Sequence, residues 1–296
     1  MKAFKLGTDI SGVEWRITKP RGIIVISHGM AEHIERYDEF CNFLNTKGFS
    51  AYGINHIGHG AAITKPEEKG HFPKGGFMKC IDNLDKLVEM AKKENPGIPV
   101  FLFGHSMGSF MAQTYAGKYG QNVKGVILSG SNAPCALFKM GNAVAHIAYC
   151  CGDMHKGGKL LDNMSFGSYG KQFAPNRTKF DWLSRDTARV DAYVNDPLCG
   201  YLCTKGFYKE FLSGNARLGY WMKKVPVELP IYILSGDKDP VGMNGEGVKD
   251  LYEMYRAHGV ADVEIRLYPD GRHESLNELN RAEVMKDIVT WIEKHI

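Results

Sequence analysis

Apolar and polar positions along the chain change period in a repeating order. Runs rich in β-formers at 22–27, 49–54, 100–103, 123–129, 230–236 and 262–268 read as strands. Between them, apolar residues recur at helical spacing. Tyr37, Phe40, Cys41 and Leu44 mark a helix over 35–47. Phe77, Cys80, Ile81, Leu84, Leu87 and Val88 mark one over 76–94. Val248, Leu251 and Tyr255 mark a third over 247–258, and 280–296 closes the chain as a helix. Val13, Trp15 and Ile17 alternate with polar residues and predict an edge or antiparallel strand over 13–18. Strands alternating with helices predict an α/β fold, a mostly parallel central sheet covered on both faces.

The alternation stops between about Ala133 and Pro226. Short helical pieces, many glycines and the aromatics Phe166, Tyr169, Phe173, Phe180 and Trp182 take its place. This segment reads as an insertion over the carboxyl ends of the strands, where open α/β sheets bind ligands. The expected division is a core of 1–134 and 226–296 with a cap of 135–225. Glycines near its turns suit a cap that moves to admit substrate.

The strand at 100–103 runs directly into Gly104-His105-Ser106-Met107-Gly108, and a helix through Phe110 and Ala116 follows. Strand, Gly-x-Ser-x-Gly and helix in that order are the context of a nucleophile elbow. Ser106 then sits on a strained turn with its Oγ clear of both elements, and Cβ atoms at 104 or 108 would collide with their neighbours. The helix N-terminus aims free N–H groups at a reacting carbonyl.

A serine hydroxyl is a weak nucleophile and needs a base, which needs an orienting carboxylate. Downstream, one loop pair meets that demand well. Gly236-Asp237-Lys238-Asp239-Pro240 follows one strand, and Asp270-Gly271-Arg272-His273-Glu274 follows the last. His273 is the expected base. Asp237 and Asp239 compete for the carboxylate, and position favours Asp239, since Asp237 can shape the turn. An oxyanion hole needs two backbone N–H groups. Met107 supplies one, and Met30, on the turn His28-Gly29-Met30, the other. His28 and Gly29 shape that turn, and with His105 they are the expected substrate-side residues. His28/His33 and His56/His59 suggest metal sites, but no carboxylate or cysteine visibly completes either set.

With 44% hydrophobic and 24% charged residues, the 296-residue chain can fill a core. A net charge of +4 is too small to suggest a nucleic-acid partner. No stretch reads as an export signal or a membrane span, and seven cysteines, an odd number, read as reduced thiols. The Cys150-Cys151 pair and Cys199/Cys203 form no CxxC motif and read as small buried hydrophobes. A cytoplasmic protein is the expectation. Gly157-Gly158-Lys159-Leu160 lacks the rest of a phosphate-binding loop.

Taken together, several motifs resemble the α/β-hydrolase superfamily. They are His28-Gly29-Met30-Ala31-Glu32-His33 with Arg36-Tyr37, Gly58-His59-Gly60, the Ser106 pentapeptide, Gly236-Asp237-Lys238-Asp239 and Arg272-His273-Glu274. They look most like its monoacylglycerol lipase and lysophospholipase branch, which includes serine-aminopeptidase-like members. The resemblance implies Asp239 rather than Asp237 in the triad. It also implies acyl transfer in two halves with no metal or organic cofactor. Ser106 attacks an ester, Met30 and Met107 hold the oxyanion, His273 protonates the leaving alcohol, and water releases the acid. One departure is Asn55, where the branch commonly has Asp.

Between Cys135 and Val225 stand 13 Lys and Arg against 7 Asp and Glu. Positive charge around an apolar cavity suits amphiphilic or anionic ester or lipid substrates and transient contact with an anionic membrane surface. A solvated lid with its own small aromatic core is the plainer reading of the same residues. An aminopeptidase or amidase using the same triad would need an anionic pocket for the substrate amine. A non-catalytic binding protein on this scaffold would be expected to lack a triad member.

Overall fold

A single eight-stranded sheet organises the computed structural model, which describes residues 1–7, 10–150 (the side chain of Cys150 excepted) and 153–296. In chain order the strands are β1 (Lys2–Leu6), β2 (Ile10–Trp15), β3 (Gly22–Ser27), β4 (Phe49–Ile54), β5 (Val100–His105), β6 (Gly125–Ser129), β7 (Ile231–Gly236) and β8 (Val263–Tyr268). Their order across the sheet is β1-β2-β4-β3-β5-β6-β7-β8. The two pairings that involve β2 are antiparallel and the rest are parallel.

Two expectations at the N-terminus change. The strand expected over 13–18 begins at Ile10 and ends at Trp15, and it lies inside the sheet, antiparallel to both neighbours. The edge belongs to β1, whose Lys-Ala-Phe-Lys-Leu is short and largely exposed, so it shows little hydrophobic pattern.

The helices of the regular part are α1 (Asp38–Thr46), α2 (Gly76–Glu94) and α3 (Met107–Tyr119). Between β6 and β7 come α4 (Ala136–Cys150), α5 (Lys159–Phe166), α6 (Thr187–Asn195), α7 (Lys205–Asn215) and α8 (Leu218–Met222), followed after β7 by α9 (Glu246–His258) and α10 (Arg281–Lys294). Strand residues alternate between two cores. Leu102 joins Leu84, Val88, Met111, Tyr115 and Leu251 of α2, α3 and α9. Phe101 and Phe103 join Phe40, Leu44, Ile288 and Trp291 of α1 and α10 on the other face. Helix α3 is buried all round from Met107 to Ala116, so it lacks a polar stripe.

Helix α4, at 15 residues, is longer than the short pieces its sequence suggested. It lies beside α7, with Phe138, Val144 and Ala148 packed inward while Leu137, Met140 and Ile147 are exposed. Cys41, Cys80, Cys199 and Cys203 are buried free thiols and Cys135 is half-buried; the Cys150 side chain and Cys151 lie outside the described residues. Among the described residues no helix is long and apolar enough to cross a membrane.

Candidate active site

The β5–α3 junction bends so sharply that Ser106 adopts φ 52°, ψ −121°, a strained region for a residue with a side chain. Hydrogen bonds hold it there. Its N–H donates to the Ser129 carbonyl at 2.9 Å, and its carbonyl accepts from Ser109 N (2.8 Å), Phe110 N (3.2 Å) and Ser109 Oγ (2.6 Å). A Cβ on Gly108 would lie 2.0 Å from the Ser27 carbonyl oxygen, and one on Gly104 2.4 Å from that of Gly108. These neighbours are backbone and cannot give way. The Met107 N–H, at the start of α3, has no hydrogen-bond acceptor among the described residues.

After β3 the chain turns through His28 to Ala31. The Gly29 N–H is taken by Glu32 Oε1 at 2.5 Å, whereas the Met30 N–H has no acceptor among the described residues. The turn abuts the elbow: a Cβ on Gly29 would be 3.3 Å from Ser106 Cβ. His28 lies beneath the turn, fully buried, and not on the cavity wall. Its Nδ1–H donates to the Gly29 carbonyl (2.7 Å) and its Nε2 accepts from His56 N (3.0 Å), so both nitrogens of one neutral tautomer are used. It holds the turn and does not face a substrate. Burial lowers its pKa to about 4.

The loops after β7 and β8 run backbone to backbone. A Cβ on Gly236 would be 2.0 Å from the Gly271 carbonyl oxygen, and Lys238 N donates to that same oxygen at 2.9 Å. This contact brings Asp239 to His273. The His273 Nδ1–H lies 3.0 Å from each Asp239 carboxylate oxygen, leaving Nε2 as the basic nitrogen. Asp239 also accepts from Ser235 Oγ and Val241 N, each at 2.9 Å. Burial alone would raise the Asp239 pKa, but the charge and hydrogen bond of His273 outweigh it and hold the carboxylate below its usual range. Burial likewise works to lower His273, and the Asp239 charge overcomes it, so His273 is raised. Asp237 does other work: its Oδ1 accepts from Asp270 N at 2.8 Å and ties the two loops.

A cavity of about 760 Å³ is lined by Ser106, Met30, Met107, Gly29, His105 and His273 among others. Phe110, Phe138, Val144 and Phe211 contribute apolar wall, together with Phe166, Tyr169 and Trp182 from the segment between β6 and β7. Phe173 packs elsewhere, beneath the Arg272 guanidinium at 4.2 Å. Trp182 sits with its ring 5.0 Å from that of His273, and its carbonyl accepts from His273 N at 3.4 Å. Among the described residues no hydrogen bond joins Ser106 Oγ to His273, and such bonds often tighten only around substrate. The His105 ring lies 4.8 Å from that of His273, and burial with the His273 charge lowers its pKa to about 4.

Buried charges to which the sequence assigns no separate role also border the cavity. Arg36 pairs with Glu274, the neighbour of His273, and with Glu32, which holds the Gly29 turn. Glu32 and Arg36 show a helical i,i+4 spacing, but Glu274 lies 238 positions from Arg36. Nothing local announces that pair.

The family model of serine aminopeptidase, S33, matches residues 18–280. The chain belongs to that family. A monoacylglycerol lipase of Mycolicibacterium smegmatis is 28% identical over 286 residues, covering 94% of this chain and 90% of that one. A monoglyceride lipase of Rattus norvegicus is 26% identical, covering 94% of this chain and 84% of its own. The crystal structure of a thermostable carboxyl esterase from Bacillus coagulans, in complex with glycerol, superposes with a TM-score of 0.91 at 29% identity. It covers 99% of this chain and 97% of its own. This family member has the α/β-hydrolase fold.

Proposed function

We propose that this carboxylic ester hydrolase cleaves monoacylglycerol- or lysophospholipid-like esters through Ser106, His273 and Asp239, by way of an acyl-enzyme. The observation that carries the reading is the lining of one large, mainly apolar cavity. There a strained serine, a histidine paired to a buried carboxylate and two unpaired N–H groups converge.

His273 Nε2 takes the Ser106 proton as Oγ attacks the ester carbonyl. The developing oxyanion is received by the N–H groups of Met30 and Met107, which have no partner to give up. His273, its charge balanced by Asp239, protonates the departing alcohol, and water activated by the same nitrogen releases the acid. Residues 135–225 act as a cap whose Phe166, Tyr169 and Trp182 shelter the acyl chain. Leu137, Met140 and Met164, which also line the cavity, stand exposed in this segment together with Ile147, Leu160, Lys139, Lys156 and Lys159, a composition suited to transient contact with an anionic lipid surface.

The cavity chemistry weighs against an aminopeptidase. Its lining carboxylates are already engaged: Glu32 and Glu274 by Arg36, and Asp162 by Tyr208 Oη at 2.6 Å. Asp162 alone of the three has no cationic partner among the described residues, and the rest of the lining is mainly apolar. A panel of glycerol monoesters, lysophospholipids and short-chain esters, run beside aminoacyl amides, tests the reading. Turnover favouring medium or long acyl chains supports it, and preference for the amides overturns it.

A further inference from the structure

His33 stands in the sequence without a set of metal ligands. Folding supplies one. Asp196 and Cys199, on the turn between α6 and α7, reach it from 163 residues along the chain, and one ligand atom of each residue lies within 4.8 Å of the others. All three residues are buried or partly buried.

Each ligand has a second contact that positions it, while one ligand atom of each lies near the others. His33 Nδ1 meets Glu35 Oε2 at 2.8 Å, leaving Nε2 for the site. This is the carboxylate–histidine arrangement that orients imidazole ligands in metal centres. Asp196 Oδ1 accepts from Leu198 N at 2.8 Å, leaving Oδ2, which lies 2.8 Å from His33 Nε2. The Cys199 N–H donates to the Asp196 carbonyl at 3.0 Å, closing an Asp-Pro-Leu-Cys turn that sets thiol and carboxylate together. The thiol itself makes no hydrogen bond among the described residues.

We propose that His33, Asp196 and Cys199 bind a borderline-soft divalent cation, zinc by preference, at the junction of the Met30 turn and the 135–225 segment. Imidazole, carboxylate and thiolate are zinc's usual ligands, and water completes four-coordination. Zinc holds N and O at about 2.1 Å and S at about 2.3 Å, so the His33–Asp196 pair opens by roughly half an ångström around the ion. Binding releases the thiol proton and the proton shared by His33 and Asp196. Carboxylate and thiolate together neutralise the dication. The nearby Arg36 guanidinium, 4.8 Å from the Tyr193 ring, is already balanced by Glu32 and Glu274. The same junction holds the oxyanion turn, since the Ala31 carbonyl accepts from Tyr193 Oη (3.0 Å) and Gly200 N (2.9 Å). A bound cation would pin the segment against it. The site rests on ligand geometry and not on the reaction.

The test is a cobalt titration of the full chain after removal of metal by chelation. The expected result is one Co²⁺ per chain with a thiolate-to-cobalt absorption band, erased by added Zn²⁺. Cys199→Ser and His33→Ala lose the band, and Cys135→Ser keeps it. Asp196→Asn, which keeps the contact to Leu198 N, also loses it while circular dichroism stays native. No band in the wild type, or a band that survives Cys199→Ser, overturns the site.

Discussion

Arg36 grips Glu274 with two prongs, Nη1 to Oε1 at 2.8 Å and Nη2 to Oε2 at 2.7 Å, and its Nη1 also meets Glu32 Oε2 at 2.5 Å. One guanidinium thus joins the turn carrying Met30 to the residue beside His273. Burial works to raise the Glu32 pKa, but Arg36, His105 and His28 bring it to about 2, so the carboxylate stays charged. Arg36→Ala leaves two buried carboxylates uncompensated and should lower stability by about 3–5 kcal/mol in urea unfolding. Arg36→Lys keeps the charge without the two-pronged geometry and should fall between the two. An Arg36→Ala midpoint equal to wild type would contradict this role.

Gly108 admits no side chain. Gly108→Ala would force its Cβ into the Ser27 carbonyl and displace β3 or the elbow. The expected outcome is loss of esterase turnover with a reduced melting temperature, and a variant with wild-type kcat would refute the packing argument.

Acid should unfold this protein through buried histidines. Burial, the largest cause in each case, lowers His28 and His105 to about 4 and His59 to about 3. The unfolded chain protonates these groups near 6.5 while the folded chain resists, so unfolding takes up protons as pH falls. Their contribution to stability is complete above pH 6.5 and is lost progressively down to about pH 4 or 3. Each of His28 and His105 accounts for on the order of 3 kcal/mol across that window. Urea midpoints measured from pH 7.5 to 4.5 should fall steeply, and a flat profile would count against the buried neutral imidazoles.

Much of this site was legible because its signals are local. The apolar run, the two glycines and the following helix specify the elbow within a dozen residues, and the loops after β7 and β8 presented Asp239 and His273 in order. The choice between Asp237 and Asp239 rests on position and resemblance, and the two residues differ in their contacts. Asp237 closes the loop pair through Asp270 N, while Asp239 is buried against His273. Asn55 also has a reason. Its Oδ1 accepts from Ile34 N at 3.1 Å and its Nδ2 donates to Glu35 at 3.3 Å, and a carboxylate could not make the second bond.

What stayed hidden depends on distant partners. His28 reads as a substrate-side residue because it adjoins Gly29, yet its buried bond to His56 exists only once β3 and β4 pair. Arg36 with Glu274, and His33 with Asp196, join residues whose sequence separation leaves no periodic trace. Strand β1 is five residues with two lysines, too short for a pattern.

On the proposed mechanism, Asp239 sets the pH behaviour of the reaction. Since its charge is what raises His273, kcat/KM should fall as pH drops through a value above 6.5, where His273 gains a proton. Asp239→Asn removes that charge, so the acid limb should move to lower pH, and kcat should drop by on the order of 10⁴-fold as the imidazole loses its orientation. An unmoved limb would show that another group titrates.

On the proposed mechanism, Ser106 carries the acyl group. Wild type and Ser106→Ala, treated with a fluorophosphonate and read by intact and peptide mass spectrometry, test it most directly beside turnover of one medium-chain glycerol monoester. A single adduct is expected on the Ser106 peptide of the wild type. No adduct and no turnover are expected in a natively folded Ser106→Ala. Residual turnover at the wild-type rate, or an adduct on another residue, would contradict that mechanism.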